Sequence, residues 1–154
     1  MLNILFICHG NICRSPMAEF VMKYLVDQAG LSDKVNVESA ATSTEEIGND
    51  IHYGTRDVLT RHRIPFSRRA ARQITAADYN RYDYLIGMDS ENLYYMNRRW
   101  SSDPERKISL LLEHAGINDD ISDPWYTHNF DRTFADVWEG CTGLLEEVKS
   151  KINR

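Results

Sequence analysis

A chain of 154 residues that is 42% hydrophobic and 27% charged has the make-up of one globular domain with a real core, not of a disordered or fibrous protein. Its 18 Lys and Arg against 23 Asp and Glu give a formal net charge of −5, without the basic excess of a nucleic-acid binder. No apolar run nears the roughly 18 residues that signal a membrane span. The cysteines, Cys8, Cys13 and Cys141, are too few and odd in number for a secreted disulfide framework. With no Cys-x2-Cys pair and scattered histidines, they make no zinc site. The first apolar run is too short for a signal peptide. One domain over 1–154 and a cytoplasmic location are the expectations.

Leu2 to Ile7 is apolar at nearly every position, the pattern of a strand covered on both faces in a parallel sheet. Beyond it, Ala18, Val21, Met22, Leu25, Val26 and Ala29 recur at helical spacing, and Gly30 ends the run. Ser15 is the expected N-cap, with Pro16 near the first helical position. Cys8 therefore stands at the carboxyl end of a strand, with a helix N-terminus aimed back at it. Inward-turned N–H groups and the helix dipole make such a turn an anion site. Gly10 permits close approach or a positive φ. Asn11 tolerates the left-handed region and can bond within its loop. Arg14 offers a planar fork matched to two phosphate oxygens. A lone cysteine is most simply a buried apolar residue. In this setting a thiolate suited to attack on the phosphorus of a phosphate monoester is the better account.

Lys34 to Glu38 alternates as a second strand and runs into the small-residue segment Ser39 to Ser43. Ile47 to His62 reads as a helix with an irregular start at Gly48-Asn49, Val58 and Leu59 facing the core. The arginines from Arg61 to Arg72 read as a solvated face, with attraction of acidic phosphoproteins as the alternative. Thr75 to Asp78 is a capping box opening a short helix. Tyr82 to Met88 is a third strand, and Asp89 caps a helix through Asn97 with Leu93 and Met96 inward. Lys107 to Leu111 is a fourth strand. From Phe130 to Ile152 a stripe including Phe134, Val137, Trp138, Cys141, Leu144, Leu145 and Val148 makes a core-facing helix, with Cys141 a buried hydrophobe. Strands alternating with helices give an α/β sandwich on a parallel sheet, with ligands beyond the strand carboxyl ends. Asp123 precedes Pro124 and so is biased to an extended loop. The rings of Trp125 and Tyr126 beside it suit a phenyl phosphate. A plain proline turn with a surface aspartate is the other local reading.

Cys8-His9-Gly10-Asn11-Ile12-Cys13-Arg14-Ser15-Pro16 resembles the signature of the low-molecular-weight protein tyrosine phosphatases. The similarity continues through Glu38 to Ser43, Ile47-Gly48-Asn49, Ala71 to Thr75, Met88-Asp89 and Asp123 to Tyr126. It implies a three-layer α/β/α sandwich with a central four-stranded parallel sheet and a phosphate-binding loop after the first strand. It also implies Cys8 as nucleophile, Arg14 as phosphate and transition-state binder, and Asp123 as general acid and then base. His9, Gly10, Asn11, Ile12, Cys13 and Ser15 complete the loop, which Asn11, Ser15 and Ser39 support. His9, Glu45, Trp125 and Tyr126 line the substrate pocket. The implied partners are phosphotyrosine proteins, with inorganic phosphate as product and no metal, cofactor, nucleic acid or membrane insertion.

Three positions depart from the family pattern. Glu45 stands where an aromatic is frequent, His9 where the residue is commonly apolar, and Arg69 where many relatives have histidine; an Arg69–Asp89 ion pair stays open. Four alternatives weigh less. Arsenate reductases of this fold need further redox cysteines, and only Cys141 lies downstream. Relatives acting on phosphoarginine carry threonine where this chain has Ile12. Arg14 argues against a phosphocarrier, and Cys8 with Asp123 against a silent phosphopeptide-binding module. Finally, Cys8 and Cys13 share one tight loop, so Cys13 is the expected redox partner that captures an oxidised Cys8 as a disulfide.

Overall fold

The computed structural model describes residues 1–153; Arg154, the last residue of the expected domain, lies outside the described residues. In chain order the elements are β1 (Leu2–Cys8), α1 (Arg14–Gln28), β2 (Val35–Ala41), α2 (Tyr53–Arg61), α3 (Asp78–Arg81), β3 (Tyr84–Gly87), α4 (Ser90–Arg99) and β4 (Ile108–Leu110). A 3-10 turn (Leu111–Ala115), α5 (Pro124–Thr127) and α6 (Phe130–Ile152) follow. The four strands form one parallel sheet in the order β2-β1-β3-β4. Because side chains alternate along a strand, β1 feeds two layers at once. Ile4, Phe6 and Cys8 enter the core shared with α1 and α6. Leu5 and Ile7 enter a second one with Tyr79, Tyr82, Met96 and Trp100. That is the expected three-layer sandwich, and it explains why β1 is apolar at every position but Asn3.

The order of strands positions the site. From β1 the chain crosses to β2 on one side and later returns to β3 on the other. The loops after β1 and β3 therefore diverge at their carboxyl ends and leave a crevice. Cys8 closes β1 and Asp89 lies two residues beyond β3, so both stand at its rim.

Several boundaries differ from the sequence expectation. β2 runs on to Ala41, since Ser39, Ala40 and Ala41 pair with Phe6, Ile7 and Cys8; small side chains fit that crowded position. The helix expected from Ile47 starts only at Tyr53. Gly48 has φ +88° and its N–H donates to Ala71 O, while Ala71 N–H donates to Asn49 O. The segment is thus pinned to the returning chain instead of coiling. The Thr75 capping box is half made: Asp78 accepts the Thr75 N–H at 2.7 Å, but its carboxylate chiefly holds Arg72 through contacts of 3.0 and 3.2 Å. Arg72 is therefore no part of a solvated arginine face, whereas Arg61, Arg63 and Arg68 are exposed. In α6, Cys141 is fully buried as expected. Trp138 is the exception to the core stripe, 37% exposed and stacked on Phe134.

Candidate active site

The loop after β1 wraps around the Cys8 sulfur. Backbone N–H groups of Asn11 and Ser15 point at Sγ from 3.3 and 3.4 Å, and Ser15 Oγ lies 3.0 Å away. The Asn11 amide donates to Ser15 Oγ at 2.8 Å, so the hydroxyl hydrogen is shared between the sulfur and the Ala40 carbonyl at 3.5 Å. These contacts correct the expected cap. Ser15 lies inside α1, Cys13 occupies the N-cap position without a side-chain bond, and Pro16 is the third helical residue. The helix begins early because the Ser15 N–H is needed at the sulfur, and Pro16 still costs nothing there, since first-turn N–H groups lack helical partners.

Asn11, not Gly10, takes the left-handed conformation, with φ +59°. Its side chain then reaches behind the loop. One amide hydrogen goes to Ser15, the other to Ser39 Oγ at 2.9 Å, and Oδ1 accepts the Arg72 N–H at 3.3 Å. Ser39 donates in turn to Glu19 at 2.6 Å, and Lys23 neutralises Glu19 at 2.5 Å. Asn11, Ser15 and Ser39 are buried, so this closed network fixes the loop shape before any ligand arrives. Glu19 escaped the sequence reading, although it stands one helical turn from Ser15 on the same face.

Arg14 enters from the start of α1 with only 2% of its side chain exposed. Nη1 donates to Asp89 Oδ2 at 2.6 Å and to the Ile121 carbonyl at 3.0 Å, and Nη2 to Asp123 Oδ2 at 3.4 Å. Burial works against its charge, yet Cys8, Asp89 and Asp123 together raise its pKa above the ordinary arginine value. Asp89 is thus a positioning residue as well as the cap of α4, whose Asn92 N–H it accepts at 2.8 Å. The open Arg69–Asp89 pair does not form: the Arg69 guanidinium bonds the Asn49 carbonyl at 3.4 Å.

The amino end of α2 secures the far side of the loop. His52 N–H donates to the Ile12 carbonyl at 2.9 Å and Thr55 Oγ1 to that of Cys13 at 3.2 Å. The His52 ring accepts the Gly54 N–H, stacks on Phe130 and meets Trp125 edge-on. A Cβ on Gly54 would strike the Phe130 ring at 2.5 Å, so only glycine admits this stack. Burial and the Arg56 charge hold the His52 pKa below its ordinary value, keeping Nδ1 available as the acceptor.

A cavity of about 110 Å³ opens over the loop, lined by Cys8, His9, Gly10, Ile12, Cys13 and Arg14 below and by Glu45, Glu46, Asp123, Trp125 and Tyr126 around it. Every residue expected in the pocket is there, while Asn11, Ser15 and Ser39 stand behind it; Glu46 is the addition. Asp123 caps α5 through Oδ1 with φ −77° and ψ 114°, the extended backbone expected before proline. Burial, followed by Cys8 and Asp123, pushes the Cys13 thiol well above the usual range, so Cys13 stays protonated beside Cys8.

The family model described as low molecular weight phosphotyrosine protein phosphatase matches residues 3–154. Among curated proteins, the chain is 37% identical over 153 residues to low molecular weight protein-tyrosine-phosphatase YfkJ of Bacillus subtilis (strain 168), covering 98% of both chains. It is 40% identical over 156 residues to the human low molecular weight phosphotyrosine protein phosphatase, covering 98% of this chain and 96% of the other. The crystal structure of YfkJ superposes with a TM-score of 0.94 over 98% of this chain and 96% of that one. A loop that turns N–H groups toward a cysteine sulfur and a match over nearly the whole length agree: the chain belongs to the low molecular weight phosphotyrosine protein phosphatase family.

Proposed function

We propose that residues 1–154 form one catalytic domain that hydrolyses phosphotyrosine in proteins, releasing inorganic phosphate. The observation that carries this reading is convergence on a single cavity: a sulfur met by three donor groups, a buried guanidinium, and a carboxyl beside two aromatic rings. Cys8 attacks phosphorus, the S–P bond forms and the bond from phosphorus to the phenolic oxygen breaks. Asp123 hands its proton to that oxygen. As carboxylate it then takes a proton from water while the water attacks the phosphocysteine; the S–P bond breaks and phosphate leaves. Arg14 spans the phosphate oxygens with its fork. Trp125 and Tyr126, 51% and 78% exposed, present aromatic surface to a phenyl ring. No step calls for a cofactor or metal.

Phosphate release from peptides carrying phosphotyrosine, phosphoserine or phosphoarginine tests the substrate class. Phosphotyrosine should lead; a lead for phosphoarginine would replace it. For Asp123, the telling variant is Asp123→Asn on a series of aryl phosphates. Poor leaving groups need the proton and good ones do not, so the loss should grow by at least about 10-fold from the best to the worst leaving group. Equal losses along the series would remove Asp123 from the acid role.

The same cavity supports Cys13 as redox partner. Peroxide converts the Cys8 thiolate to a sulfenic acid, and the Cys13 sulfur displaces water from it to form a disulfide. Because burial holds the Cys13 proton tightly, the capture should be slower than the first oxidation. Wild type should recover most of its activity on thiol reduction, with a Cys8–Cys13 crosslink in peptide maps, and Cys13→Ser should not. Full recovery of Cys13→Ser without a crosslink in wild type would refute the pairing.

A further inference from the structure

The cavity mouth has an uneven lining. Trp125 and Tyr126 make one part of it aromatic, while His9, Glu45 and Glu46 make another part polar. His9 Nε2 lies 2.9 Å from Glu45 Oε2, and Nδ1 lies 4.0 Å from Glu91 Oε1 on the first turn of α4. The Glu45 and Glu91 side chains are 68% and 67% exposed, so both carboxylates stand in solvent, Glu45 in the lining and Glu91 just outside it beside His9. Glu46 is held in place by the Asn49 amide at 2.6 Å and packs beside Gly10.

Among the described residues no lysine lines the cavity, and the arginine that does, Arg14, is buried and tied to Asp89. Beyond the phosphate cradle the mouth is therefore negative. The contact with His9 anchors Glu45 by one oxygen, and among the described residues no protein group bonds the other. An anchored carboxylate loses less side-chain freedom on binding a ligand cation than a free one.

We infer that the His9–Glu45 pair, with Glu46 and Glu91 around it, selects phosphotyrosines flanked by Lys or Arg and disfavours those flanked by Asp or Glu. The inference rests on the phosphatase reading above and narrows its substrate class. Phosphate enters the positive cradle, while the residue beside the tyrosine meets the acidic rim. Exposed pairs are weak and screened by salt, so the preference should be about fivefold in kcat/KM between Lys- and Glu-flanked peptides at low ionic strength.

The test compares three phosphotyrosine peptides, alike except for Lys, Ala or Glu on both sides of the tyrosine, at low and high salt. Wild type should favour them in that order, with the spread shrinking as salt rises. Taking the Lys-to-Glu ratio within each enzyme cancels changes in basal turnover. Glu45→Lys should abolish or invert the ratio, and the milder Glu45→Gln should lower it. Glu139→Lys, on α6 and outside the lining, makes the same change in net charge as Glu45→Lys and should keep the wild-type ratio. A ratio near one in wild type, or an equal shift in Glu139→Lys, would overturn the inference. Failure to release phosphate from any peptide would instead sink the phosphatase reading itself.

Discussion

Cys8→Ser should lose turnover by at least about 10⁴-fold, the order expected when the attacking group of a covalent mechanism is removed, while still binding phosphate. The serine hydroxyl fits the space of the 3% exposed thiol and keeps a partner for the Asn11 and Ser15 N–H groups. What it loses is nucleophilicity: a hydroxyl is the weaker nucleophile and holds its proton far more tightly than a thiol. Thermal melts with and without inorganic phosphate should show that the variant is folded and stabilised by the anion. Acid quenching of wild type during turnover, followed by peptide mapping, should find the phosphoryl group on Cys8. A phosphoryl group trapped on another residue would end this assignment.

Arg14→Lys should lower kcat by at least about 100-fold, the scale for loss of one preorganised charge stabiliser. The charge survives, so the partly buried Asp89 carboxylate keeps a cationic partner. The geometry does not survive. The guanidinium meets Asp89, the Ile121 carbonyl and Asp123 from two different nitrogens, and a single ammonium cannot hold these directions and also span two phosphate oxygens. Because the fork is worth most where charge develops, kcat should fall more than KM rises. Near-normal kcat in a folded lysine variant would show that charge alone suffices.

Much of this arrangement is legible in the residues from Leu2 to Ala29. An apolar run, a short turn with Cys, Gly, Asn and Arg, and apolar residues at helical spacing dictate strand, anion loop and helix by local rules alone. Asp123 is legible through its proline and its aromatic neighbours. Less legible are residues whose role depends on partners far along the chain. Asp89 reads as a helix cap, which it is, but its grip on Arg14 joins residues 75 apart. Glu19 draws no notice in the sequence; its role appears only when Ser39, brought alongside by the pairing of β2 with β1, donates to it.

The sequence by itself determined the chemistry: a nucleophile, an anion-binding turn and a guanidinium within seven consecutive residues, because covalent adjacency and helix geometry hold them together however the rest folds. Tertiary structure alone decided how they are held and what surrounds them. Ser15 turns from helix cap to sulfur partner because the sheet places Ser39 and Asn11 behind it. Arg69 goes to the Asn49 carbonyl, not to Asp89, because the turn at Gly48 draws its segment toward Asn49. His9 and Glu45 become one hydrogen-bonded rim only because β2 ends beside β1. The Ser39, Asn49 and Glu45 partners come from distant parts of the chain, and tertiary pairing, not local propensity, selects which groups meet.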